Sequence, residues 1–273
     1  MCDALWSTDV TVTIRNAPLL REVTLTEHPS LTVDMAWEQL TTLSITSHEA
    51  EEGLSTLQQC SNLLELDCSL RDTGRSPLAI PPFALPSLRH LRTGGRSILP
   101  FLTVPSLTHL DIWGPGFSGE MNELTQSLHA LLERSVCPLN QLSFRVPPTG
   151  MSAAEFHSFL AETPSVVDLQ LTFHASLDLI TILQADGVLP RLETLRVLYA
   201  TGHAPEDEVL TELLATLRSR REIIEGRATL DAFHLLRPKP NRTALPDAVK
   251  DELSALENGG MCISIDSKLD FFA

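Results

Sequence analysis

One short pattern of aliphatic residues recurs along almost the whole chain and limits the folds it can adopt. An apolar residue is followed by two variable residues, an apolar residue, one variable residue and a final apolar residue, as in Leu107-Thr-His-Leu110-Asp-Ile112. The nine copies begin at Leu20, Leu40, Leu63, Leu88, Leu107, Leu139, Val166, Leu192 and Leu230. Their starts lie from 19 residues apart (88 to 107) to 38 residues apart (192 to 230). Such self-similarity predicts stacked copies of one structural unit, because no single copy can bury its apolar side chains alone.

Each copy predicts one short strand. Its period of two turns the last two apolar residues to one face and the variable residues to the other. Proline, which cannot continue a helix, stands one or two residues before six of the copies, at Pro18, Pro86, Pro105, Pro138, Pro164 and Pro190. Between the strands, helical periodicity predicts helices over 51–60, 122–136, 152–162, 176–185 and 206–224. The shorter connections of 77–117 predict irregular or 3₁₀ turns.

Spacings of 20 to 29 residues with a few insertions are typical of leucine-rich repeats. The sequence therefore predicts an α/β fold, a leucine-rich-repeat solenoid with a curved parallel sheet on one face and helices and irregular turns on the other. We expect a single domain over 1–273, with about nine repeats in 17–240 and a C-terminal capping helix and strand in 245–266.

The charge of the chain argues against some partners. The 35 acidic residues exceed the 20 basic ones, and a net charge of −15 repels the phosphates of nucleic acids. The beginning of the chain has no basic leader and no apolar run of signal-peptide length, and no window is apolar enough to span a membrane. We therefore expect no nucleic-acid partner, no membrane partner and a location in the cytoplasm or nucleus.

The variable residues of the strands are the candidates for binding, since stacked strands align them on one polar, concave face. Nine strands at a spacing of about 4.8 Å would give a surface large enough for a protein partner. Tryptophan and arginine are favoured at the centres of interfaces, so Trp113, Arg92, Arg145 and Arg196 are the first candidates. The full predicted partner-binding set is Asp67, His90, Arg92, His109, Asp111, Trp113, Arg145, Asp168 and Arg196. Trp113 has an alternative position, packed beneath the turn at 114–116.

Catalytic and metal-binding motifs are absent from the sequence. The nine histidines are dispersed without an HExxH motif, the five cysteines form neither a disulfide framework nor close zinc-binding pairs, and no GxSxG elbow is present. Only His90 and His109 share a position in adjacent repeats, and with Asp67 and Asp111 they leave a metal site open as an alternative. We expect no enzyme activity, no cofactor and no metal. The basic cluster that includes Arg218, Arg220 and Arg237 is interpreted as a solvated face.

Several phrases resemble one known group of proteins. They are APLLREVTL, MAWEQLTTLSI, LQQCSNLLEL, FLTVPSLTHLDI, LLERSVCPLNQLSF, TPSVVDLQL, LPRLETLRVL, LRSRRE and ENGGMCISI. In this order they are similar to the leucine-rich region of the F-box-like proteins of mushroom-forming fungi. The resemblance implies a substrate-recognition subunit of a cullin-based ubiquitin ligase, whose repeats hold the target. Nothing in the given sequence resembles the F-box itself, so docking on the ligase adaptor is expected only if an F-box lies upstream.

The sequence thus favours a protein-interaction module that recognises a target as F-box receptors do. A free-standing leucine-rich-repeat scaffold or decoy, without a ubiquitin-ligase role, is the alternative.

Overall fold

The computed structural model describes most of the chain in twelve segments. They are 10–14, 17–26, 31–71, 80–94, 98–113, 121–145, 152–173, 177–185, 187–199, 207–222, 224–237 and 245–265. The chain forms two compact units, the first of residues 1–113 and 126–138 and the second of 114–125 and 139–273. The prediction of one domain over 1–273 stays a prediction. Within the described segments, no helix combines the length and the apolar character needed to cross a bilayer.

The first unit is built on five parallel strands. In order across the sheet they are β2 (Glu22–Thr26), β4 (Thr42–Glu49), β5 (Glu65–Arg71), β7 (His90–Thr93) and β9 (His109–Ile112). Their connections hold α1 (Ala50–Leu57), two 3₁₀ helices (Trp37–Gln39 and Leu99–Phe101) and two small parallel pairs, β1 (Val10–Thr13) with β3 (Leu31–Asp34) and β6 (Phe83–Ala84) with β8 (Leu102–Thr103). The 3₁₀ turn at 99–101 confirms the expectation for this stretch, whereas the two small pairs were not predicted.

The second unit repeats the plan with longer helices. Its parallel strands are β10 (Gln141–Phe144), β11 (Asp168–Phe173), β12 (Thr194–Tyr199), β13 (Ala232–Leu236) and β14 (Cys262–Ile265). The helices are α3 (Ala153–Ala161), α4 (Leu177–Ile182), α5 (Asp207–Arg221) and α6 (Asp247–Asn258), and α2 (Met121–Ser135) contributes its residues from 126 onward to the first unit. The predicted helices and the terminal strand are confirmed within a few residues.

The recurring aliphatic residues form the core in both units. The strand residues Leu66, Leu110, Leu142, Leu169 and Leu195 are all at most 2% exposed. The register aligns them from strand to strand, as where Leu142 lies beside Leu169 and Leu169 beside Leu195. The fold is therefore α/β and of the leucine-rich-repeat solenoid type, with one face of each strand in the core and the variable residues on the other.

A repeated backbone contact joins neighbouring repeats within each unit. The carbonyl oxygen of Arg21 accepts hydrogen bonds from two successive amides of the next repeat, Thr41 N at 2.8 Å and Thr42 N at 3.0 Å. Because one oxygen satisfies two N–H groups, the turn backbone is paired without the asparagine that many such repeats use. The same double acceptance recurs at the carbonyl oxygens of Thr41, Leu64, Arg89, Asn140, Val167 and Glu193.

Helix α3 shows how a connecting helix fixes the strand beneath it. Ser152 and Glu155 form a capping box: Ser152 Oγ accepts from Glu155 N, and Glu155 Oε2 accepts from Ser152 N. The helix then packs Phe156 and Phe159 edge-on against Phe144 of β10, with ring centroids 5.8 and 5.5 Å apart. Because Phe144 points to this core, its strand neighbours point to the opposite, polar face.

The interpretation of the arginine cluster as a solvated face is wrong for two of its members. Arg220 is 0% exposed and Arg237 is 6% exposed, whereas Arg218 lies at the surface beside Glu252. Arg220 donates from Nε to the carbonyl of Leu183 at 2.5 Å, and from its two terminal nitrogens to Val188 at 2.6 Å and Leu189 at 3.1 Å. The guanidinium thereby holds together the turn that follows α4, and the three carbonyl oxygens offset its positive charge.

Candidate functional site

Three adjacent strands of the first unit carry six of the nine predicted site residues. We call the polar face of β5, β7 and β9 the first strand face; its residues are Glu65, Asp67, Ser69, His90, Arg92, Gly94, His109, Asp111 and Trp113. The register places Glu65, His90 and His109 in one row and Asp67, Arg92 and Asp111 in the next. The repeat thus brings together side chains that are about 20 to 45 residues apart in the sequence.

Arg92 is the centre of this face. Its guanidinium lies between two carboxylates, with Nη1 3.6 Å from Asp67 Oδ2 and Nε 3.6 Å from Asp111 Oδ2. The guanidinium carbon lies 5.3 Å from the centroid of the Trp113 ring, within range of a cation–π contact. Arg92 and Trp113 are half-buried, so these contacts hold both in place while part of each remains accessible.

The position of Trp113 depends on a glycine that the sequence reasoning missed. A β-carbon at Gly94 would lie 2.7 Å from Ser69 Oγ and 3.2 Å from Trp113 Cε2. The indole therefore lies across Gly94 on the strand face, which favours this placement over the alternative beneath 114–116. Residues 114–116 themselves lie outside the described segments. The sequence did contain an indication of this contact, because Gly94 and Trp113 occupy the same position in adjacent repeats.

His90 and His109 meet as the repeat predicts. Their rings stand edge to face with centroids 4.3 Å apart, and His90 Nδ1 lies 3.5 Å from Glu65 Oε1. Burial lowers the pKa of His109, and the neighbouring His90 lowers it further. Among the described residues, no three His, Cys, Asp or Glu side chains are placed to hold a metal ion together. The two rings form an aromatic contact in the row next to Arg92, and the absence of a metal stays a prediction.

The depressed pKa of His109 predicts acid sensitivity. The unfolded chain takes up this proton near pH 6.5, whereas the folded chain takes it up only at lower pH, so the free energy of unfolding decreases as the pH falls below 6.5. His234 acts in the same direction, because burial and then Arg196 lower its pKa. We expect His109→Gln with His234→Gln to flatten the stability profile just below pH 6.5. Urea unfolding at a series of pH values measures it, and an unchanged slope in the double variant would contradict it.

The remaining three predicted residues lie in the second unit. Its polar face, the second strand face, is formed by Gln141, Ser143, Arg145, Asp168, Gln170, Thr172, Thr194, Arg196, Leu198 and His234. Arg196 donates from a terminal nitrogen to Asp168 Oδ2 at 2.7 Å. Burial raises the pKa of Asp168 and the charge of Arg196 opposes that rise, so the pair lies in a poorly hydrated setting. Arg145 follows β10 and is half-buried.

The second strand face also contains buried polar residues that the sequence reasoning did not single out. Ser143, Gln170 and Thr172 are each 3% exposed, although variable residues of this face were expected to be accessible. Ser143 Oγ, Gln170 Nε2 and Thr172 Oγ1 have no hydrogen-bond partner within the described part of the chain. Polar groups buried in this way are uncommon in folded proteins and are often found at functional positions.

Comparison with known proteins supports the fold alone. No family model matches the chain, and no curated protein matches it. The crystal structure of a protein from Bacteroides fragilis is similar, with a TM-score of 0.52, 16% sequence identity, and coverage of 86% of this chain and 68% of that chain. At this identity the likeness extends to the arrangement of strands and helices and carries no information about function.

Proposed function

We propose that the chain is a protein-interaction module that holds a target protein on its strand faces. The observation that carries the proposal is the arrangement of Arg92 between Asp67 and Asp111 and against Trp113. Arginine and tryptophan dominate the binding energy of interfaces when their neighbours hold them in a fixed conformation. Here the carboxylates and the glycine beneath the indole fix both side chains before any partner arrives.

The chemistry of the first strand face favours protein binding over catalysis. Its charged groups are already paired with each other across neighbouring strands, whereas a catalytic group needs a proton or a ligand within reach of substrate. The absence of enzyme activity and of cofactors stays a prediction. A rim of part-exposed acidic and histidine side chains around an aromatic and arginine centre is the composition expected of an interface.

The resemblance to the leucine-rich region of fungal F-box-like proteins supports a more specific role. In that role the repeats would select the target of a cullin-based ubiquitin ligase, in the cytoplasm or nucleus. An F-box in the full gene product would supply the contact with the adaptor subunit. Co-purification of the adaptor with the full gene product would test this part, and a full product that contains an F-box yet fails to bind the adaptor would contradict it.

The target-binding role is tested by cross-linking. A photoreactive amino acid replaces Glu65, an exposed residue of the first strand face, and cross-linked proteins are identified from cells that express the chain. The captured protein is then purified, and its affinity is measured for the unmodified chain and for Trp113→Ala. Loss of an interface tryptophan of this kind typically costs about 2 kcal/mol or more, or roughly 30-fold in affinity.

Glu51→Gln gives a matched control, because Glu51 is an exposed residue of α1 and lies away from the strand face. We expect it to leave the affinity unchanged. Equal affinities of the unmodified chain and Trp113→Ala for the captured protein would overturn the proposal, as would cross-links that form equally well from a probe placed at Glu51.

A further inference from the structure

The second strand face has several neighbouring hydrogen-bond donors that nothing in the described chain satisfies. Ser143 and Gln170 lie side by side in the register, and Gln170 lies beside Arg196. Thr172 is two residues further along β11 on the same face. The amide of Gln170 and the hydroxyls of Ser143 and Thr172 lack partners within the described segments, as does the Nε–H of Arg196. Neighbouring strands are about 4.8 Å apart, so these groups form one continuous patch.

Most of the unpartnered groups in this patch are donors, and Asp168 Oδ1 is a buried acceptor without a hydrogen-bond partner beside them. An amide NH₂ and a guanidinium Nε–H can only donate, and a hydroxyl can do so. Among the described charged residues of the face, Arg145 and Arg196 bring two positive charges, and Asp168 brings one negative charge that is directed at Arg196. His234 lies next to Arg196 in the register. A patch in which unpartnered donors outnumber unpartnered acceptors, with Arg196 at its centre, is complementary to an acceptor that carries negative charge.

We propose that this patch binds the side-chain carboxylate of an aspartate or glutamate in an acidic segment of the partner protein. The inference rests on the proposed function, since it names the chemistry of the partner held by the second unit. A carboxylate accepts several hydrogen bonds at once, so it can satisfy Arg196 and the Gln170 amide together. Gln170 is 3% exposed, so binding of the carboxylate requires a local rearrangement that opens a path to its amide.

The poorly hydrated setting strengthens the expected contact. A hydrogen bond to a charged group is stronger where water does not compete, and burial on this face is sufficient to shift the ionisation of Asp168. The net charge of −15 opposes the approach of an anion, but salt at physiological concentration screens charges more than about 8 Å away. The local donors therefore decide the preference at contact distance.

Gln170→Met gives the sharpest test, because it removes the amide donors and keeps the length of the side chain. If Gln170 served only the fold, this substitution would lower the free energy of unfolding of the protein. A donor that is buried without a partner in the free protein should instead cost no stability when it becomes apolar, while the affinity for a carboxylate falls. Arg196→Gln is the second variant, and Arg191→Gln is its control because Arg191 is an exposed arginine of the same unit, just before β12.

The probes are short synthetic peptides with blocked ends that carry either glutamate, glutamine, lysine or phosphoserine at the same positions. Fluorescence anisotropy measures their binding to the full chain. We expect the glutamate peptide to bind tightest, Gln170→Met and Arg196→Gln each to weaken it about tenfold, and Arg191→Gln to leave it unchanged. Unfolding of Gln170→Met in urea should begin at the same or a higher concentration than for the unmodified chain.

Three results would overturn the inference. The glutamine or phosphoserine peptide could bind as tightly as the glutamate peptide, Arg191→Gln and Arg196→Gln could weaken binding equally, or the glutamate peptide could fail to bind. Each is distinct from failure of the proposed function, which is judged by the captured target. A target that depends on Trp113 while glutamate peptides fail to bind would sink the carboxylate inference alone.

Discussion

Replacement of Arg220 by methionine is expected to destabilise the second unit by about 3 to 5 kcal/mol. The side chain is fully buried and donates to the carbonyls of Leu183, Val188 and Leu189, which lie in the turn that follows α4. Methionine fills similar space but leaves all three carbonyls without this donor. The turn also includes two residues with positive φ, Gly187 at 79° and Leu189 at 44°, so its shape depends on support from outside its own backbone.

Urea unfolding followed by circular dichroism measures the effect. Arg218→Met is the matched control, since Arg218 lies in the same helix but is exposed, and an exposed ion pair such as that with Glu252 contributes little. Arg220→Lys should fall between the two, because an ammonium group keeps the charge but cannot reach three carbonyls in a fork. Similar stabilities for Arg220→Met and Arg218→Met would show that the clamp contributes nothing.

Arg220 also shows what the sequence contained and how it was misread. The apolar stripe of α5 runs through Leu210, Leu213, Leu214 and Leu217, and Arg220 follows Leu217 by three residues, on the same side of the helix. A charged residue at the next position of such a stripe is a candidate for burial. The number of basic residues nearby favoured a solvated face instead. The burial of Arg220 and the exposure of Arg218 follow from their positions relative to the apolar stripe.

The strands were predictable for a simple physical reason. Each repeat leucine must be buried, and the period of two then fixes which residues face away from the core, so the rows that join His90 to His109 and Arg92 to Asp111 follow from counting. The pairing of backbone amides could not be counted in this way. The double acceptance at carbonyls such as Arg89 O depends on how far one turn overlaps the next. Because only backbone atoms take part, no particular residue type indicates it.

The solvent exposure of side chains on the two strand faces could not be predicted from the repeat pattern either. Alternation predicted that Gln170 and Asp67 both face away from the core, which the register confirms. Yet Gln170 is 3% exposed and Asp67 is only half-buried, so alternation fixes the face of a residue and leaves its exposure open. The patch around Gln170 that is proposed to bind a carboxylate could therefore be identified only from the structure. The Arg92 cluster, in contrast, could be predicted from the sequence.

Gly94→Val is expected to disturb the Arg92 cluster more than any change in the charges around it. Even a single β-carbon at this position would come within 3.0 Å of Ser69 Cβ, which cannot rotate away, and within 3.2 Å of the Trp113 ring. The ring is the part that can move, so the indole should be displaced from Arg92. Forcing extra carbon atoms into such a contact typically costs about 1 to 3 kcal/mol of stability.

A double-mutant cycle tests this explanation directly. If the cost of Gly94→Val arises from the indole, it should shrink when Trp113 is already alanine, because the space above residue 94 is then open. The target captured by cross-linking should be lost with Gly94→Val to the same extent as with Trp113→Ala. Equal costs of Gly94→Val in the presence and absence of the indole would instead assign the strain to Ser69 and β5, and would leave the orientation of Trp113 independent of the glycine beneath it.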